Sequence, residues 1–326
     1  MKQITRAQRY TISAMKQQGC KTIDIAKTIK VHKTSIYREL ARNSDSKTKE
    51  YKDELAQKKC DKRKKEKPHF TKQDEDIHDY IRKKLTIDRW QPEQIANRAK
   101  LEGIPMVSCT VIYRIIAKDR KAGGILYKYL RRHKPYKKLK GQYKDTRGIL
   151  KNRVDISQRP AIVEKKERFG DFEIDTVIGA NHKGALLTIN DRVTGLVFIR
   201  KLDGKNAEQL AQKAIETLLP WKNSIHTITG DNGKEFAEHE KMANTLKILF
   251  YFAKPYHSWE RGANENTNGL IRQFFPKKSD FTRITDAQVS EVESLLNNRP
   301  RKRLGFFTPN EIKNQLLFNK KVAFAV

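Results

Sequence analysis

The feature that most limits how this chain can fold is a change of hydrophobic period at Phe172. Before it, apolar residues recur at helical spacing. Over 172–179, 185–191 and 196–202 they form β-branched, apolar stretches separated by turns that carry Gly179, Gly184 and Gly195. Short stretches of this kind with tight turns form an antiparallel three-strand meander. Asn206 then caps a helix whose Ala207, Leu210, Ala211, Ala214, Ile215 and Leu218 make one stripe, ended by Pro220. A fourth strand over 225–230, a helix over 234–246 and a fifth strand over 248–253 follow. Helix-crossed strands after a meander predict a mixed α/β sheet covered on both faces.

The N-terminal part predicts two all-α units. Thr5 caps a helix through Gln18, Gly19 ends it, Thr22 caps a second through Ile29, and a third runs over 33–42. Ile12, Met15, Ile25, Ala26, Ile29, Ile36, Tyr37 and Leu40 supply a shared core, leaving Lys33, Thr34, Ser35, Arg38 and Arg42 facing outward. Short polar residues at a helix start with arginines further along suit a recognition helix in a DNA major groove, and the unit reads as a helix-turn-helix. Residues 44–68, dense in lysine at KKCDKRKKEK, read as a basic linker. A second helical unit follows, with Thr71 and Ser108 as caps, Pro92 in a first helical turn, and Val111, Ile112, Ile115 and Ile116 as its last apolar stripe. It suits a second DNA reader or a dimerisation unit. In the basic segment after it, Tyr127, Tyr129, Tyr136 and Tyr143 alternate with lysine and arginine, a pattern that lets bases stack while phosphates are neutralised, or a plain linker.

Charge selects the partner. Lys+Arg number 69 against 38 Asp+Glu, a formal net charge of +31, and a field of that sign concentrates polyanions. Double-stranded DNA is the expected partner; an anionic membrane would call for a basic amphipathic helix or a lipidation motif, and neither is present. Cys20, Cys60 and Cys109 are odd in number and far apart, arguing against a disulfide framework or zinc site and for a reducing compartment. With no long apolar run and no signal-peptide core, the protein is expected to be soluble and intracellular.

The candidate chemistry lies in carboxylates. Asp231 ends the fourth strand, where open α/β sheets place their sites. Asp171, Glu173 and Asp175 alternate on the first strand and share one face, a poor arrangement for burial unless something positive lies against it. A helix predicted over 256–278 puts Arg261, Asn268 and Arg272 on the side of Glu265, with Ala263, Thr267, Leu270, Ile271 and Phe274 opposite. Its polar positions are Asn264, Asn266 and Asn268, poor helix formers with two-sided amides, and Gly269 suits close backbone approach. Carboxylates without nearby His or Cys match magnesium or manganese rather than zinc. Two such ions about 4 Å apart serve phosphodiester chemistry.

FEIDTVIG around Asp175, TGDNGKEF around Asp231, SWERGANENTNGLIRQFFPKK around Glu265 and LNNRPRKRLGFFTPNEI after it resemble the catalytic core of the IS-thirty family of bacterial insertion-sequence transposases. The 33 residues between Asp231 and Glu265 are similar to that family's Asp-Asp-Glu spacing, and WQPEQIA from Trp90 extends the resemblance toward the N-terminus. One departure is Phe172, where tryptophan is more usual. The resemblance implies a ribonuclease H-like core in which Asp175, Asp231 and Glu265 hold two magnesium ions, manganese being able to substitute. It also implies a helix-turn-helix region that reads terminal inverted repeats, contacts from Arg261, Asn268 and Arg272 to DNA, and a homodimer or higher oligomer on DNA near the bacterial nucleoid. The expected chemistry is strand cleavage by water followed by strand transfer. A catalytically silent regulator and a nuclease of the same fold are the alternatives. The expected organisation is a helix-turn-helix module over 1–46, a basic linker over 47–68, a second module over 69–120, a second basic linker over 121–162, the core over 163–315 and a tail over 316–326.

Overall fold

A computed structural model describes residues 3–46, 48–66, 75–131, 152–204, 206–254 and 262–318. The chain divides into two compact units, 1–73 and 74–326.

In the first unit, α1 (Arg6–Gln17) starts at Thr5, whose side chain and that of Gln8 form a reciprocal capping box. Helices α2 (Thr22–Thr28) and α3 (Lys33–Asn43) follow. Thr22 is the first residue of α2 rather than its cap, a position taken by Lys21. Ile12, Ile25 and Ile36 are fully buried, one from each helix. Tyr37, expected in this core, is 56% exposed, because Ile36 beside it already fills the inward position. The expected linker is instead largely a fourth helix, α4 (Asp53–Glu66), which buries Ala56 and Cys60 against the first three. A buried polar knot fixes it: Arg9 Nε donates to Glu39 at 2.7 Å, Tyr51 Oη donates to the same oxygen at 3.2 Å, and Arg9 Nη1 donates to Gln57 at 2.9 Å. Burial and the Glu39 carboxylate push the Tyr51 hydroxyl far above its ordinary pKa.

The second unit opens with α5 (Glu75–Thr86), α6 (Pro92–Leu101) and α7 (Cys109–Lys121), packed through Ile81, Leu85, Ile95 and Ile112. Pro92 occupies the first turn of α6, and the Gln91 backbone N donates to Gln94 Oε1 at 2.8 Å. Thr71 lies outside the described residues, and Ser108 precedes α7 without a side-chain capping bond. This helical module is fastened to the C-terminal segment of the unit: Arg98 makes a two-pronged pair with Glu311 at 2.6 and 2.8 Å, Gln94 donates to the Pro300 carbonyl, and Lys302 pairs with Glu93. The expected second linker is structured at both ends, with 3-10 turns at Leu126–Tyr129 and Ile156–Gln158, the latter followed by the short helix α8 (Ala161–Lys165). Tyr127 and Tyr129 lie under Arg120 and Arg89, at 4.7 and 4.5 Å, so their rings pack within the module rather than presenting a free stack to bases. Tyr136 and Tyr143 lie outside the described residues.

The sheet comprises β1 (Asp171–Ile178), β2 (Ala185–Asp191), β3 (Val197–Leu202), β4 (Thr227–Gly230) and β5 (Leu249–Phe252), in the order β3-β2-β1-β4-β5. The meander is antiparallel, whereas β4 and β5 run parallel to β1 and to each other. This is the mixed, ribonuclease H-like arrangement expected. Alternation sorts the two faces. Phe172, Ile174, Leu187, Ile189 and Ile228 join one core with α9 (Ala207–Leu218) and α10 (His239–Leu246). Each fully buried leucine there, such as Leu210 and Leu218, contributes about 2 kcal/mol. Val177, Leu186, Val197 and Ile199 face the other way, onto α11 (Gly262–Ile271) and α12 (Asp286–Asn297). The core exceeds its expected limits: Asp155 bridges to Phe252 before it, and α13 (Pro309–Phe318) packs Leu316 and Leu317 against it after residue 315.

Candidate active site

The two central parallel strands direct the first two carboxylates toward one end of the sheet. Asp171 lies opposite Thr227 and Glu173 opposite Thr229, where the pairing ends; Asp175 stands two residues further along β1 on the face of those acids, and Asp231 directly follows β4 at its carboxyl end. The three acids of β1 have different surroundings. Asp171 is buried and accepts from Arg168 Nε at 2.9 Å and from Thr227 Oγ1 at 2.8 Å. Glu173 is buried against Arg192 Nη1 at 2.6 Å, and Arg192 and Arg159 both reach Glu164. The positive charge an acidic ladder requires is therefore supplied at its first two rungs. Asp175 is half-buried; it accepts from its neighbour Thr176 N at 2.9 Å and from Asn268 Nδ2 at 2.8 Å.

Asp231 accepts from Gly233 N at 2.9 Å, and a Cβ at 233 would fall 2.5 Å from Glu235 Oε2 and 2.9 Å from Asp231 Oδ1, so a larger residue there would push both carboxylates aside. Glu235, which the sequence did not single out, thus lies beside Asp231. It is buried and accepts from Thr176 Oγ1 at 3.1 Å. Its place four residues after Asp231 in TGDNGKEF was the available signal.

Helix α11 is laid over β1 by its asparagines. Asn264 is fully buried; its amide N donates to Glu173 Oε2 at 3.2 Å and its side chain donates to the Ile174 carbonyl and accepts from Asn190. Asn268, one turn on, donates to Asp175. Glu265 lies between these anchors, in the first turn of α11, and is exposed. Thr267, Leu270 and Ile271 form the packing face as expected, but the helix stops at Ile271, seven residues short of the predicted end, where Phe275 turns into the core. Arg272 is consequently held in the fold: its Nη2 donates to the Ile178 carbonyl at 2.6 Å and its guanidinium lies 5.3 Å from the Phe281 ring centre. Asn268 and Arg272, expected at DNA, thus support the site from within, and Arg261 lies outside the described residues. Among the described residues, no group of three or more His, Cys, Asp or Glu side chains is gathered as an ion site, so Glu265 does not close on the two aspartates.

In the first unit, Lys33, Arg38 and Arg42 are exposed on α3, with Thr34 and Ser35 half-buried beside them. Thr34 is tied to His32 Nδ1 at 2.8 Å. Arg38 and Arg42 line a cavity of about 550 Å³ together with Arg63 and Lys64 of α4.

A family model described as a helix-turn-helix domain matches residues 1–43, the span of α1 to α3. Over 327 residues the chain is 54% identical to the transposase for insertion sequence element IS4351 of Bacteroides fragilis, with 99% of each covered. It is 31% identical over 259 residues to transposase InsI for insertion sequence element IS30A of Escherichia coli (strain K12), covering 76% of this chain and 67% of that one. The chain belongs to the IS-thirty family of insertion-sequence transposases. The catalytic core domain of BIV integrase aligns with 44% of this transposase and 91% of that domain, at 23% identity and a TM-score of 0.34. No helix among the transposase's described residues is long and apolar enough to cross a membrane.

Proposed function

We propose that this transposase binds the terminal inverted repeats of its element through α3 and cleaves and joins DNA strands with Asp175, Asp231 and Glu265. The observation that supports this reading is that Asp175 lies just past the β1–β4 pairing and is hydrogen-bonded to the helix that bears Glu265, while Asp231 directly follows β4. The donor chemistry fits a hard divalent cation. Asp175 and Asp231 offer oxygen ligands, while Asp171 and Glu173 are neutralised by arginine. Asp175, Asp231 and Glu265 would hold magnesium, or manganese in its place; when bound, it supplies Lewis-acid stabilisation of the attacking and leaving oxygens.

The chain's own residues orient those ligands. Asn268 fixes Asp175 Oδ2, Gly233 N fixes Asp231 Oδ1, and Asn264 sets the height of α11 over β1. Glu265, exposed in the first turn of α11, would supply the third carboxylate of the ligand set. The positive charge of the rest of the chain holds the DNA. The protein works in the cytoplasm at the nucleoid, as a homodimer or larger assembly on DNA.

The test is incubation of the full chain with labelled element ends, target DNA and magnesium. Joined products support the reading. Cut ends without joining identify a nuclease, and binding without cutting identifies a silent regulator.

A further inference from the structure

Between the second helical module and the core lies a group of arginines to which the catalytic reading assigns no role. Arg299, within the NNRPRKR run after α12, is completely buried. Its Nη1 donates to Gln273 Oε1 at 3.1 Å, while Nε and Nη2, also buried, have no hydrogen-bond partner among the described residues. Its guanidinium lies 5.7 Å from the Phe274 ring centre, and that of Arg89 lies 5.9 Å from the same ring. Two cations therefore share one aromatic ring. The charges that bear on Arg299 are Arg301, Arg131 and Arg89; with burial the larger cause, they push its pKa down to about 9.

A buried charge of this kind is costly unless an opposite charge compensates it. Like charges gathered around it increase the cost, and among the described residues no carboxylate pairs with Arg299 to offset it. The outer members are accessible: Arg131 is exposed and Arg89 half-buried. Arg131 also fixes the position of the group relative to the chemistry. Its Nη2 donates to Asn266 Oδ1 at 3.2 Å, and Asn266 is the residue next to Glu265.

We infer that this arginine group is a binding site for a backbone phosphate of the DNA strand that enters the active site, gripped by Arg131 and Arg89 and reinforced from beneath by Arg299. The inference rests on the proposed function for the identity of the strand, though not for the existence of the anion site. Arginine forks suit phosphate, and a phosphate here is held jointly by Arg89 and Arg131 of the second helical module and by Arg299 of the segment after α12. The pairs Arg98–Glu311 and Lys302–Glu93 hold that module to the C-terminal segment, and the Arg131–Asn266 hydrogen bond sets a strand seated at this seam beside Glu265.

The test uses the full-length protein without metal and two variants, Arg299→Met and Arg131→Gln. Thermal melting is followed while inorganic phosphate replaces chloride at constant ionic strength. Phosphate should raise the wild-type melting temperature more than that of either variant. Without phosphate, Arg299→Met should melt at or above the wild type, since an uncompensated charge has gone. Affinity for a labelled duplex is then measured across a salt series, where each variant should flatten the slope of log K against log salt by about one, the loss of one phosphate contact. Equal phosphate shifts in wild type and Arg131→Gln would overturn the site even if Arg299→Met fails to fold. Shifts that differ with unchanged salt slopes would show a site for free phosphate and overturn the assignment to DNA. Neither measurement depends on strand joining, so a transposase that joins nothing but passes both keeps the phosphate site and loses only the proposed reaction.

Discussion

Asn268 Nδ2 donates to Asp175 Oδ2 at 2.8 Å, so the helix carrying Glu265 is hydrogen-bonded to the aspartate proposed to act with it. Asn268→Ala should lower strand cleavage at least tenfold while leaving binding of element ends unchanged, because Asp175 loses its orientation rather than its charge. The cost to folding should be about 1 kcal/mol, that of one partly buried hydrogen bond. Single-turnover cleavage beside end-binding titration checks this; equal loss of both would place Asn268 on the DNA instead.

The acids of β1 should separate by phenotype. Asp175→Asn should abolish cleavage in a protein that melts normally. Glu173→Gln removes the buried partner of Arg192 and should cost about 3–5 kcal/mol, lowering melting temperature and activity together. Asp171→Asn should retain substantial activity in magnesium. Melting curves and cleavage rates for the three variants distinguish them, and a fully active Asp175→Asn protein would shift the ligand to another rung of the strand.

Asp191 should impose a pH dependence on stability. Burial pushes its carboxyl from 3.8 up to about 6, against the hydrogen bonds it accepts from Thr194 and Gly170. The folded state thus holds this proton more tightly than the unfolded chain does. The group's contribution to stability is greatest below about pH 4 and is lost as the pH rises through about 6. Relative to Asp191→Asn, which does not titrate, the wild type should lose up to about 3 kcal/mol between those limits. Urea unfolding of both proteins across that window is the measurement, and parallel pH profiles would contradict it.

On α3, Arg38→Ala should narrow the preference for element ends over random duplex by about 1–3 kcal/mol, the discrimination carried by one base contact. Replacing the exposed Lys62 and Lys65 of α4 should weaken both duplexes alike. Competition binding at fixed salt reads both effects; equal losses on the two duplexes from Arg38→Ala would remove α3 from the recognition role.

The sheet was legible because its strands alternate: Phe172 and Ile174 against Glu173 and Asp175 give opposite faces without any knowledge of the fold. Helix α4 was not, since Ala56 and Cys60 are its only buried positions in a run of charge and its anchoring comes from Arg9, Glu39 and Tyr51, distant in sequence. Alternation likewise could not choose among Asp171, Glu173 and Asp175, because the choice is made by Arg168 and by Arg192 on the turn after β2. The anchoring of α11 was hidden for a related reason: the partners of Asn264 and Asn268, namely Asn190, Glu173 and Asp175, lie far from them in sequence.

Glu265 carries the central claim, and one paired measurement tests it: strand joining and thermal melting of Glu265→Gln, with and without magnesium, beside Leu270→Ala. The glutamine variant keeps the size of an exposed side chain and removes its charge, so it should fold and bind ends as the wild type does, while joining falls by orders of magnitude and added magnesium loses its effect. Leu270 is buried on the packing face of the same helix, and its truncation should cost about 2–5 kcal/mol and lower melting and joining together. A Glu265→Gln protein that still joins strands, or one that fails to fold, would contradict the account and make α11 a scaffold.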